Sequence, residues 1–104
     1  MNQETIYDFQ WDPAKALSNL RKHDVTFDQA ATVFLDALAL TVYDDVNSLH
    51  EERWFTLGLD AGGMLLAVAH TYEIAGTGNV RVRIISARRR PDVSDARTKM
   101  NRDR

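Results

Sequence analysis

Five arginines fall within ten residues, at positions 81, 83, 88, 89 and 90. Guanidinium groups are planar and permanently charged, and their forked donors match phosphate oxygens, so this concentration suits bidentate capture of a polyanion. The segment from Val80 into the arginine cluster reads as a β-strand. Side-chain alternation puts Val82, Ile84 and Ser86 on one face and Arg81, Arg83 and Ile85 on the other, with Arg88, Arg89 and Arg90 at the exit. An arginine inside a Val/Ile strand forgoes apolar burial, which calls for a ligand or a partner.

The chemistry that this set could support is RNA cleavage, in which a ribose 2′-OH attacks its own phosphorus and charge develops on the phosphoryl oxygens. That reaction needs donors around the phosphate, a group to take the 2′ proton and one to protonate the leaving oxygen. Arg83 and Arg88 can supply the charge. His70 is the candidate proton-transfer group, because imidazole titrates nearest neutrality. Arg53 is an auxiliary catalytic candidate, and Lys22, His23, Arg81 and Arg89 extend the RNA-binding set. Ordinary structural roles compete with each of these. His70 could cap a strand end, His23 bind a helix C-terminal carbonyl, and Arg53 pair with Glu51 or Glu52; for each residue alone, that role ranks slightly ahead.

Charge is segregated along the chain, although the net value is only −2. Residues 81 to 104 carry eight Arg and one Lys against three Asp, a net of +6, which leaves −8 for residues 1 to 80. A basic end of this kind is the electrostatic footprint of a nucleic-acid binder, with a solvated basic tail as the plain alternative. The 104 residues make one domain, 1–104, that buries roughly 65% of its unfolded surface. There is no cysteine, so disulfides, thiol nucleophiles and thiolate metal sites are excluded. His23, His50 and His70 lack ligand-like spacing, and Gly76 and Gly78 are not followed by the Lys-Ser/Thr of a phosphate loop. No metal or cofactor is expected. No signal-like start and no apolar run of ~20 residues is present, so a cytoplasmic protein without membrane contact is expected.

These residues need elements to position them. Asp12 before Pro13 predicts a capped helix with Ala16, Leu17 and Leu20 as its apolar stripe, Lys22 and His23 in its last turn, and Asp24 in a left-handed exit. Thr26 and Gln29 form a capping-box pattern for a second helix, in which Phe27, Ala30, Ala31 and Phe34 face the core. Alternation from Leu38 to Tyr43 predicts a strand, and after a polar loop Arg53–Leu59 and Met64–Tyr72 pair through the turn Asp60-Ala61-Gly62-Gly63. The unbroken run Leu65 to Ala69 predicts a central strand buried on both faces. Gly76 to Asn79 then turns into the arginine strand, and residues 91–104 are expected to form a thinly packed C-terminal helix or tail, with only Val93, Ala96 and Met100 as apolar residues. The expected fold is α+β: two N-terminal helices on a four-stranded antiparallel sheet, with a short C-terminal helix. On the third strand Met64, Leu66, Val68 and His70 share a face, whereas whether Arg83 joins them depends on register.

With these residues laid out, the chain resembles the BrnT family of type II toxins. The resemblance rests on Phe9 to Ala16, Asn19-Leu20-Arg21-Lys22-His23, Val25 to Ala30, Glu52-Arg53 with Gly58, and Arg83-Ile84-Ile85-Ser86-Ala87-Arg88. Two departures stand out: Asp24 replaces the usual glycine after Lys22-His23, and Arg89-Arg90-Pro91 leads to a tail without the usual Glu and Tyr. The resemblance implies a RelE-like fold and metal-independent mRNA cleavage that inhibits translation. It also implies a ribbon-helix-helix (BrnA-like) antitoxin whose dimer joins two toxins in a heterotetramer and carries them to operator DNA. The rival expectation is a catalytically degenerate toxin whose basic surface only holds the antitoxin and serves autoregulation.

Overall fold

The computed structural model of the chain describes residues 5–90. Asp12 caps the first helix, α1 (Pro13–His23), by accepting from the Ala14 N–H at 2.8 Å, and proline follows where its missing donor costs nothing. Asp24 ends it at φ 56°, so a non-glycine residue takes the left-handed exit. The second helix, α2 (Phe27–Ala31), has the complete capping box between Thr26 and Gln29. It tightens into a 3-10 turn, Thr32–Leu35, where the Thr32 hydroxyl bonds back to the Gln29 carbonyl at 2.7 Å.

The sheet has six strands: β1 (Ile6–Gln10), β2 (Leu40–Tyr43), β3 (Trp54–Leu59), β4 (Leu65–His70), β5 (Glu73–Gly76) and β6 (Asn79–Arg89). Their order is β1-β6-β4-β3-β2, with β5 also on β6. This corrects the expectation of two N-terminal helices on four antiparallel strands. A strand precedes both helices, and β1 runs parallel to β6, pairing Ile6 with Asn79 through Gln10 with Arg83. The remaining pairs are antiparallel. Two physical reasons explain the difference. Parallel pairing joins segments more than 70 residues apart and leaves no local signature, and β5 is exposed along its whole length, so it has no hydrophobic pattern to read. The RelE-like arrangement therefore does not describe this sheet, and the anticipated C-terminal helix lies outside the described residues.

The core lies between the helices and one sheet face. Val25, Phe27, Ala30 and Val33 pack on Leu66, Val68, Val82, Ile84 and Ala87, with Tyr7, Phe9, Trp11 and Phe34 at its margin. β4 is buried at all six positions and sits in the middle of the sheet, as its unbroken apolar run requires. Close approach is sharpest at Gly58, where a Cβ would stand 3.0 Å from atoms of Val33, Asp36 and Ala39. The β3–β4 turn is tied to α2 by Asp60, which accepts from Gln29 Nε2 at 2.7 Å and from the Gly62 and Met64 N–H groups. Burial would raise the Asp60 pKa, but these donors outweigh it and hold the carboxyl below its ordinary range. No helix among the described residues is long and apolar enough to cross a membrane.

Candidate functional site

Strand β6 does not keep its parity. Ala69 pairs with Ser86 while His70 pairs with Ile84, so Ile85 is an extra residue that bulges between them. Before the bulge Val80, Val82 and Ile84 are buried in the core; after it the buried residue is Ala87. A one-residue slip exchanges faces, so Ser86 and Arg88 emerge on the same side as Arg83, away from the helices. Ser86 was expected on the Val82 and Ile84 face; the bulge reverses that. Asn19 of α1 secures the turned segment. Its Nδ2 donates to the Ala87 carbonyl at 2.9 Å and to the Val25 carbonyl at 3.0 Å, and its Oδ1 accepts the Ala87 N–H at 3.0 Å.

The register then sets out this open face in rows. Leu57, Ala67 and Arg88 form one row and Phe55, Ala69 and Ser86 the next. Thr71, bonded through its N–H to the Arg83 carbonyl at 3.0 Å, continues the row pattern between Arg53 and Arg83. Alanine and serine make a low floor, with arginines standing at both ends. The end rows are roughly 13 Å apart, four residues at ~3.3 Å each, a gap that extended arginine side chains from both ends can close. The result is a hollow of 490 Å³ whose lining includes Arg53, Arg88, Arg90, Asp44, Phe55 and Ser86. A second hollow of 290 Å³ adjoins it, sharing Ile85, Ser86 and Arg88 and adding Lys15, Lys22 and His23 from α1. Sequence position alone does not show that the last turn of α1 and the exit of β6 meet.

Charge partners distinguish the arginines. Arg83 donates to Glu51 Oε2 at 2.6 Å, and Arg53 reaches Glu51 Oε1 at 3.5 Å, so one carboxylate bridges the two guanidiniums. The Arg83 hydrogen bond holds the Glu51 carboxyl below its ordinary range, against a smaller effect of burial and with help from the charges of Arg83 and Arg53. Arg53 Nε is buried without an acceptor among the described residues. Arg88 is exposed and has no ion pair among the described residues. Arg81 is held between Asp8 and Glu73 on its neighbouring strands, at 3.7 Å each, and Arg89 pairs with Asp24 at 3.3 Å. Neither of these last two lines the hollow.

His70 is not brought to the arginines. It shares the core face with Leu66 and Val68, is fully buried, and meets Phe34 edge-on at 4.9 Å. The Thr71 carbonyl, 2.8 Å from Nδ1, can only accept, so Nδ1 carries the proton; Nε2 then accepts from the Thr56 hydroxyl at 2.7 Å. Burial lowers its pKa, opposed by the Thr71 bond, and the ring is neutral with its lone pair already in use. Trp54 likewise lies on the helix side, against Tyr43 at 5.0 Å. No group of three metal-ligating side chains converges among the described residues.

Asn19, Asp44, Glu51 and Ser86 belong to the site but were not assigned a part in it from sequence. Asn19 was hidden by a misread face: Leu17 and Leu20, expected as the core-facing stripe of α1, are exposed and Asn19 is its buried residue, whereas the others depend on register and on the loop from residue 44 to residue 53. A family model described as a ribonuclease toxin, BrnT, of type II toxin–antitoxin systems matches residues 11–92. Among solved structures the chain is similar to the crystal structure of the Brucella abortus ribonuclease toxin BrnT, with a TM-score of 0.57 and 20% identity over 83% of this chain and 97% of that one. That likeness carries the fold alone. No curated protein matches the chain. A family of this description implies ribonuclease activity and an antitoxin partner, and with a match spanning most of its length the chain belongs to the BrnT family of type II ribonuclease toxins.

Proposed function

We propose that this toxin is an endoribonuclease that cleaves mRNA by attack of the ribose 2′-OH, without a metal ion, and thereby stops translation. Arg88 and Arg53 grip the scissile phosphate and stabilise the charge that grows on its oxygens. Arg83 supports them from the same face, and Lys22 and His23 hold the RNA where α1 meets β6. The observation that carries this reading is the hollow over Ala67, Ala69 and Ser86, which arginines enter from β6 and from the start of β3. The exposed guanidinium of Arg88, which has no ion pair among the described residues, is a donor available to a phosphate, and the Arg53 terminal nitrogen, 3.5 Å from Glu51, is a second. His70, buried on the other face, has no part in the chemistry.

The partner is a ribbon-helix-helix antitoxin whose dimer joins two toxins in the cytoplasm and brings them to operator DNA. Support for this comes from the family alone. The whole chain, 1–104, acts as one toxin domain. Incubation of purified, antitoxin-free protein with RNA in EDTA tests the enzymatic reading. Cleavage that is lost in Arg88→Ala, and lost when the scissile ribose is 2′-deoxy, is the expected result. Absence of cleavage by the wild type would favour the other role, a basic face that only holds an acidic segment of the antitoxin.

A further inference from the structure

Attack by a 2′-OH needs an acceptor for its proton, and with His70 committed to the core another group must serve. Two carboxylates stand near the arginines: Asp44 lines the hollow, and Glu51 lines a neighbouring one that meets it at Asn47 and Arg53. Asp44 is nearly buried, and both its oxygens accept from Asn47, at 3.3 Å from the backbone N–H and 3.0 Å from Nδ2. Glu51 is exposed, and each of its oxygens takes one arginine bond, from Arg83 at 2.6 Å and from Arg53 at 3.5 Å. A carboxylate has about four lone-pair sites, so Glu51 keeps room for a hydroxyl.

Its placement is built rather than incidental. The loop from Asp44 to Arg53 closes at its base through the Asp44 N–H and the Arg53 carbonyl, 2.9 Å apart. The Ser48 hydroxyl fastens the same point, accepting from the Arg53 N–H at 3.0 Å and donating to the Asp44 carbonyl at 2.5 Å. The charged groups facing Glu51 are therefore Arg83 from β6 and Arg53 from the start of β3, with His50 and Glu52 as its loop neighbours.

We propose that Glu51 is the general base of the cleavage, aimed by Arg83 and Arg53 while Arg88 holds the phosphate. This rests on the reading of the chain as an enzyme that uses the 2′-OH. The Glu51 carboxylate takes the 2′ proton as the bond from the 2′ oxygen to phosphorus forms and the bond from phosphorus to the 5′ oxygen breaks. The leaving oxygen takes a proton from water, giving a 2′,3′-cyclic phosphate and a 5′-hydroxyl, and Glu51 returns its proton to solvent. No oxidant, reductant or further reactant is consumed. Glu51 stays ionised down to low pH, since the Arg83 bond lowers its pKa, so the carboxylate is in its accepting form at neutrality.

Single-turnover cleavage of one RNA in EDTA, as a pH series, tests this in wild type, Glu51→Gln, Glu51→Asp and Arg88→Ala. Binding of the same RNA, 2′-O-methylated at the scissile ribose, is measured alongside, and thermal melting checks each variant's fold. Glu51→Gln is expected to slow cleavage by roughly 10²- to 10⁴-fold, to lose the acidic limb of the pH–rate profile, and to bind the methylated RNA as tightly as wild type or more tightly. Glu51→Asp should recover part of the rate. Cleavage by Glu51→Gln at or above the wild-type rate would overturn the proposal, making Glu51 a competitor of the phosphate. A loss of binding equal to the loss of rate would overturn it too, leaving Glu51 as a support for its arginines. If wild type cleaves and Arg88→Ala does not, such results remove only the base; if wild type does not cleave, the enzymatic reading falls first.

Discussion

Asn19 and Ala87, 68 residues apart, exchange two hydrogen bonds: the Asn19 amide donates to the Ala87 carbonyl at 2.9 Å and accepts the Ala87 N–H at 3.0 Å. β1 stops pairing with β6 at Arg83, so Asn19 stands in for a neighbouring strand at the place where β6 has just bulged. Arg88 follows directly, so its position depends on this side chain.

Replacing Asn19 with alanine leaves the two backbone groups of Ala87 without that partner in a buried setting. Stability is expected to fall by roughly 2 to 4 kcal/mol, measured as the shift of a urea unfolding midpoint at constant slope. Cleavage should fall further than the unfolded fraction accounts for, because the bulge that aims Arg88 loosens.

His70 makes stability depend on pH. Its folded-state pKa is depressed below 6.5, so as pH falls through that value the unfolded chain takes a proton that the folded chain refuses. Stability is therefore level above about pH 6.5 and declines below it, down to the folded-state value, before carboxylates such as Asp60 begin to contribute near pH 4. His70→Gln should be less stable by roughly 2 kcal/mol or more at pH 7.5, because Thr56 and Thr71 lose their partner. It should lack the decline that sets in below about pH 6.5, followed by chemical denaturation at a series of pH values.

Gly58→Ala is expected to cost roughly 1 to 3 kcal/mol, since the added methyl meets Val33, Asp36 and Ala39 at 3.0 Å in a packed corner. Melting temperature reads the effect. An unchanged value would mean that the 3-10 turn is free to shift away from β3.

How much of this was legible before the structure depends on whether the cause is local. The caps of α1 and α2 and the left-handed Asp24 follow from contacts within a few residues, and they stand where the sequence puts them. The central place of β4 follows from its unbroken apolar run. The shared face of Leu66, Val68 and His70 follows from parity. Register and bulging are different, because they are set by packing between distant segments. One extra residue at Ile85 moved Ser86 to the opposite face and aligned Arg88 with Arg83. The parallel β1–β6 pair, the exposed β5 and the meeting of His23 with Arg88 are of the same kind. Of the arginines, sequence set Arg88 apart for the charge and Arg81 for wider RNA contact, but it could not show that Arg81 stands 3.7 Å from both Asp8 and Glu73 while Arg88 has no ion pair among the described residues.

That difference gives the salt dependence of RNA binding a direction. Arg88→Ala should lower the slope of log affinity against log salt by about 0.7, the value for one phosphate contact on a single strand. Arg81→Ala should change it less, because Asp8 and Glu73 stand 3.7 Å from its guanidinium and it does not line the hollow.

The most direct measurement is the single-turnover rate of RNA cleavage in EDTA for wild type, Arg88→Ala and Arg81→Ala, all free of antitoxin and shown to be folded. The account predicts that wild type cleaves, that Arg88→Ala loses roughly 10²- to 10³-fold, and that Arg81→Ala stays within a few-fold of wild type. Equal rates for Arg88→Ala and wild type would contradict it.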